Sequence, residues 1–347
     1  MKMKLKYFRA MFAVLSASLF LSSVAQAQEV TLKVHHFTPS TAYIQTQLLE
    51  PWCEKLLQAS ANKIKCRIYP SMQLGGTPAQ LADQARDGLA DIVFTNPSYQ
   101  SGPFLKTEVF TLPFISKDPK AASRAMWDYI HQHSSDEFDR LKPLMFFYGD
   151  RTPLHFAKKP AGTLEEIKGL RMRSPGRWEG KILSSLGMLP VQMPAPAIPE
   201  SVSKGVIDGV LVPWSGYQLL KLSEVTKYHT DVAPGQASMN FPILLVAMNL
   251  AKYNSLSPEL KKAIDSVSGR EMSVWAAEVY EKSMNTGIKA GKDAGAKVTL
   301  LSGEEHARWV KSTAGVYDDW VAEVNAKGGD GKKQLEAART LIKQYDK

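Results

Sequence analysis

Between Thr31 and Thr95, short apolar strands alternate with amphipathic helices, and this alternation restricts the fold more than any other feature of the chain. Residues 32–35 read as a short strand. Residues 43–59 read as a helix carrying Leu48, Leu49, Trp52, Leu56 and Leu57. Residues 64–69 alternate as a half-buried strand, residues 78–89 form a second helix closed at Gly88, and residues 91–95 form a buried strand. Crossovers of this kind wind right-handed, so the spacing predicts a βαβαβ unit opening an α/β sheet.

A second series follows a long helix at 121–141 and an apolar strand at 144–148. Strands are predicted at 154–156, 170–173, around Val191 and at 207–212, with helices at 176–186 and 197–204. Another apolar strand occupies 242–248. Ser257-Pro258-Glu259 is an N-cap signal opening one very long helix to about Lys289. Helices at 304–325 and 332–345 flank the Gly328-Gly329-Asp330-Gly331 turn. So long a chain exceeds what a single core usually fills, which makes two lobes the default.

The first residues carry an export signal. Lys2, Lys4, Lys6 and Arg9 form a basic region, Met11 to Val24 an apolar run too short to span a bilayer, and Ala25-Gln26-Ala27 a small-residue cleavage site. Cleavage after Ala27 starts the mature chain at Gln28 and lowers the formal charge from +9 to +5. That surplus is spread among acids; it suits anionic solutes and gives no case for nucleic acid. Cys53 lies on a helical stripe with Leu49 and Leu56, and Cys66 on a strand face with Ile64 and Ile68. Both point toward one core in an oxidising compartment, so a disulfide tying helix to strand is expected in preference to two buried thiols.

Ligands in open α/β sheets sit beyond the carboxyl ends of the strands. Here those ends bring His36, Phe37, Asn96, Tyr99, Arg151, Arg173, Trp214 and, if its strand runs the same way, Phe241 to one cleft. In Gly169-Leu170-Arg171-Met172-Arg173-Ser174-Pro175-Gly176, Arg173 ends a strand, Ser174 is a natural N-cap and Pro175 fits the first helical turn. A guanidinium so placed grips a carboxylate bidentately; the plain alternative is a surface arginine on a turn. His36 is preferred to His35 because it shares a strand face with Leu32 and Val34. No G-x-S-x-G or H-E-x-x-H motif is present, and Ser201 to Lys204 lacks the companion motifs of serine–lysine enzymes.

Four segments in order then resemble TRAP transporter solute-binding proteins of the DctP family: Tyr69 to Gly76, Asp87 to Ile92, Ile167 to Pro175 and Lys204 to Gly209. The resemblance covers essentially the whole mature chain. It implies a two-lobed α/β periplasmic binding protein fold with hinge strands and a long helix spanning both lobes. The layout it implies is a signal peptide at 1–27, lobe I at 28–148 plus 241–256, lobe II at 149–240, the spanning helix at 257–298, and C-terminal helices at 299–347. It further implies a non-enzymatic periplasmic receptor, without cofactor, that hands a small carboxylate to membrane subunits. Arg173 matches the family's carboxylate-gripping arginine, and Arg151 stands near a second one that Asp150 can neutralise. Trp214 stands where members that bind polar acids often carry asparagine. Ser215 offers no acid for a metal beside it. The expected ligand is a small monocarboxylate, an aromatic or branched 2-oxo or 2-hydroxy acid such as benzoylformate or mandelate. C4-dicarboxylates come second and a periplasmic lyase or hydrolase last.

Overall fold

The computed structural model describes residues 29–346, so the expected signal peptide and its cleavage site lie outside the described residues. Strands β1 (Val30–His36), β2 (Ile64–Tyr69) and β3 (Ile92–Thr95) are parallel with β1 in the middle, as the alternating pattern predicts. The first helix is π-wound over Ile44–Leu49 and continues as an α-helix over Glu50–Ala59. Pro51 has no N–H for the α-helical ladder, and the wider winding lies immediately before it. A disulfide between Cys53 and Cys66 ties this helix to β2.

Strands β4 (Leu141–Tyr148) and β10 (Ile243–Asn249) complete the first sheet in the order β2-β1-β3-β10-β4, with β10 antiparallel to both neighbours. Every residue of β10 is buried, so its sequence is an unbroken apolar run rather than an alternation. The helix expected to reach residue 141 spans only Pro119–His133; a 3-10 turn at Ser135–Phe138 follows, and β4 starts earlier than expected.

The second sheet has six strands in the order β11-β9-β5-β8-β6-β7. They are β5 (Leu154–Phe156), β6 (Arg171–Ser174), β7 (Leu189–Gln192), β8 (Gly209–Leu211), β9 (Tyr228–Asp231) and β11 (Lys297–Leu300). Strands β9 and β11 carry no legible pattern, since one is largely polar and the other is an exposed edge. Ser174 is not the expected helix cap. It is the last residue of β6, paired with Gln192, and Gly176 occupies the N-cap of the helix Arg177–Ser185.

Three segments pass between the sheets: residues 149–153, residues 232–242, and the helix Arg270–Asp293. The single helix expected from 257 is two helices, Pro258–Ser266 and Arg270–Asp293, with Ser257 capping the first as predicted. The break is held by tertiary partners. Gly269 takes φ +104°, its N–H donates to Leu144 O at 2.8 Å, and Val267 O accepts from Trp52 Nε1 at 2.7 Å. The longer helix packs on β4 and Pro119–His133 and, further along, on the helix Trp214–Leu219. Helices Gly303–Thr313, Gly315–Ala326 and Gly331–Tyr345 end the chain. Among the described residues no helix is long and apolar enough to cross a membrane.

Candidate functional site

Between the sheets lies a cavity of about 630 Å³. The first sheet's side contributes Phe37, Tyr43, Asn96, Tyr99, Pro242 and Leu244; the second contributes Arg173, the run Pro194 to Ala197, and Leu211 to Pro213. Thr152, on the first crossing, and Tyr280, on the long helix, also line it. Lys221 and Glu224 line it as exposed residues. Among the described residues Arg173 is the one buried charge in its wall, at 3% exposure.

Arg173 is fixed at the end of β6 by two backbone carbonyls. Its Nε donates to Met193 O at 2.9 Å and its Nη1 to Leu211 O at 3.0 Å. These bonds orient the fork and leave guanidinium protons for a ligand, since the group carries five N–H donors. Burial pushes the Arg173 pKa downward, with Tyr99 and Glu179 pulling the other way. Glu179 accepts from Ser98 Oγ through Oε1 at 2.9 Å, while its Oε2 is buried without a hydrogen-bond partner. Burial holds Glu179 above the usual carboxylate range, which limits how far it neutralises Arg173.

Of the residues expected at the cleft, the structure brings Phe37, Asn96, Tyr99 and Arg173 together in the cavity wall. Phe37 stacks on Phe94 and meets Tyr99 edge-on. Asn96 caps the short turn that carries Tyr99, accepting from Ser98 N through Oδ1. The other four point elsewhere. His36 is buried in a local network: its Nδ1 accepts from Thr38 N, so Nε2 carries the proton given to Gln45 Oε1. His35 is equally engaged, between Leu74 N and Gln84 Oε1. Phe241 stacks on Tyr148 and faces a separate pocket of about 160 Å³; β10 runs antiparallel, which places Phe241 before the strand rather than after it.

Arg151 and Trp214 share one carboxylate. Arg151 Nε and Trp214 Nε1 both donate to Asp231 Oδ2, each at 2.8 Å. The indole is buried among His155, Tyr217 and His229. Asp150, considered as the neutraliser of Arg151, accepts instead from Ser215 Oγ and Ser215 N. Among the described residues no group of three or more His, Cys, Asp or Glu side chains is arranged to hold a metal.

Contacts also close over the cavity from sheet to sheet. Tyr43 Oη donates to Ser215 Oγ at 2.9 Å, Ser98 Oγ donates to Glu179, and Ala195 N donates to Tyr99 Oη at 3.3 Å. Trp178 Nε1 donates to Glu108 Oε2 at 2.9 Å on the flank. Sequence reasoning missed Thr152, Tyr43, Tyr280 and the Pro194–Pro199 wall. The clustered prolines Pro194, Pro196 and Pro199 were the one local signal available.

Two sheets joined by three crossings around a buried, cationic, largely apolar cavity define a two-lobed solute receptor. The family model DctP, bacterial extracellular solute-binding protein family 7, matches residues 34–323, and the chain belongs to this family. Three solved structures set the likeness. A TRAP solute-binding protein of an unidentified marine microbe, specific for aromatic acid ligands and crystallised with 3-hydroxybenzoate, is 39% identical with a TM-score of 0.90, covering 92% of this chain and 100% of that one. A TRAP solute-binding protein from Rhodoferax ferrireducens T118, in complex with copurified benzoate, is 37% identical with a TM-score of 0.89, covering 91% and 98%. A TRAP periplasmic solute-binding protein from Bordetella bronchiseptica, with bound (R)- and (S)-mandelate, is 25% identical with a TM-score of 0.83, covering 91% and 100%.

Proposed function

We propose that this chain is the periplasmic receptor of a TRAP transporter for a small aromatic monocarboxylate. The observation that carries the reading is Arg173: a buried cation, oriented by two carbonyls, facing a cavity whose other buried walls are uncharged. A buried charge without a paired anion is costly, and an incoming carboxylate relieves that cost through two parallel N–H···O bonds. Phe37, Tyr99 and the proline-rich wall supply flat apolar surface for an aromatic ring. Arg151, occupied by Asp231, serves the architecture in this reading, which disfavours a second ligand carboxylate. The acid touches both lobes, so binding and closure are linked, and the closed receptor delivers its cargo to the membrane subunits.

A thermal-shift series on the purified protein tests this with benzoate, 3-hydroxybenzoate, mandelate, benzoylformate, pyruvate and succinate. A ligand at about 100 times its dissociation constant adds about 2.7 kcal/mol, visible as a higher melting temperature. The expected result is a shift with aromatic monocarboxylates that Arg173→Ala abolishes, at a cost of about 2–5 kcal/mol of binding. A response to succinate alone rejects the aromatic ligand. A variant that responds like wild type rejects the anion site.

A further inference from the structure

The helix Arg177–Ser185 belongs to the second lobe, yet every residue from its cap Gly176 to Glu179 touches the first. Gly176 lies against Ser98, where an added Cβ would stand 2.8 Å from Ser98 Cβ. Arg177 Nη2 and Trp178 Nε1 both donate to Glu108 Oε2, each at 2.9 Å. Glu108 sits in the 3-10 turn Thr107–Thr111, which packs on β10 and on the helix Pro119–His133. Glu179 Oε1 accepts from Ser98 Oγ at 2.9 Å, and its Oε2 has no partner, so Ser98 is the side chain that serves this carboxyl. Ser98 is 2% exposed, and Glu108 and Glu179 are 1% exposed, so the contacts are interior while the lobes are together. Arg177 also pairs with Glu323 on the helix Gly315–Ala326, which Trp320 Nε1 fastens to Leu105 O at 2.9 Å.

None of these residues lies on the three crossings or lines the cavity. Parting the lobes to admit a solute therefore breaks their contacts, and closing over it restores them. Arg173 stands three residues before Gly176, so a carboxylate that draws Arg173 toward the first lobe brings this turn with it. We infer that Gly176–Glu179 is the latch of the closed receptor, whose contacts with Ser98 and Glu108 set how long a bound acid is retained without touching the acid. This rests on the receptor reading and extends it. Burial pushes the Glu108 carboxyl up to about 8 against the pull of Arg177, and it holds Glu179 above the usual range. Carboxyls so placed regain water when the lobes part, and a buried ion pair returns little more than that desolvation costs. Such a latch is close to balance and can release. A purely apolar seal would favour the shut form with or without a ligand.

Stopped-flow binding of 3-hydroxybenzoate tests it in wild type, Ser98→Ala and Trp178→Phe. Each variant removes one donor, from opposite lobes, and leaves the carboxyl it served. A solute enters the open cleft before the latch forms, so the loss belongs in dissociation. Each variant should release the acid about 10-fold faster, with association within about twofold of wild type. A variant that only folds poorly lowers the fraction able to bind and leaves the release rate of the remainder unchanged, which separates a structural effect from a latch. Wild-type release rates in both variants, or a loss confined to association, overturn the latch and leave the receptor intact. If wild type ignores 3-hydroxybenzoate and responds only to succinate, the aromatic-acid reading fails and the same kinetics with succinate test the latch. If no acid of the thermal-shift series binds wild type, the receptor reading fails and the latch with it.

Discussion

Asp150 shows how one side chain sets a measurable pH response. Its carboxyl is buried at the first crossing, and burial pushes its pKa up to about 7, with the bonds from Ser215 and the nearby Arg151 opposing the shift. The folded state therefore holds a proton that the unfolded chain releases near its ordinary carboxylate value. The resulting stabilisation is complete at low pH, declines as pH rises from about 4 to 7, and is constant above that. His36 and His229, pushed down to about 4 by burial, act with the opposite sign between about pH 4 and 6.5. The wild-type curve thus mixes opposing slopes, and a variant is needed to isolate Asp150. In Asp150→Asn the melting-temperature advantage of wild type should shrink steadily from pH 4 to 7 and stay level beyond. A difference independent of pH would show that Asp150 titrates as it does in the unfolded chain.

At the scale of elements, the contact between the long helix and Trp214–Leu219 depends on absent side chains. A Cβ on Gly287 would stand 2.7 Å from the Trp214 carbonyl carbon, and one on Gly291 would stand 3.3 Å from the Trp214 indole. Helix propensity alone favours alanine over glycine by about 1 kcal/mol. The contact reverses that sign, because backbone cannot yield as a flexible side chain can. Gly287→Ala should lower stability by about 1–3 kcal/mol in urea denaturation. A stabilised variant would mean the two helices do not meet this closely in solution.

For the whole molecule, the two lobes approach each other closely at Gly176. Its backbone is extended, φ −147° and ψ −175°, which any residue adopts, so the constraint on it comes from the opposite lobe. A Cβ there would stand 2.8 Å from Ser98 Cβ and closer still to the Ser98 carbonyl oxygen. The Ser98–Glu179 and Tyr99–Ala195 hydrogen bonds lie around the same approach. Gly176→Ala should therefore leave the unliganded melting temperature near wild type while weakening ligand binding by about 10-fold, because the competent closed state is less populated. Titration calorimetry beside a thermal melt separates the two effects. Unaltered affinity would mean that binding does not require the lobes to meet at this point.

Local pattern was enough for the parallel β1–β3 unit, for the Ser257 cap, and for the place of Arg173, Phe37, Asn96 and Tyr99 at strand ends facing one cavity. Side-chain alternation, caps and the carboxyl-end rule all act within a few residues, which is the range over which a sequence can be read by eye. Long-range pairing decided the rest. Asp231, on a strand too polar to recognise, takes both Arg151 and Trp214 away from the cavity across 80 and 17 residues. Gly269 breaks an otherwise plausible helix because Leu144 and Trp52 supply partners for the broken ends. A sequence shows which groups are available for burial; which of them find partners, and which are left facing a ligand, depends on distances that exist only once the chain has folded.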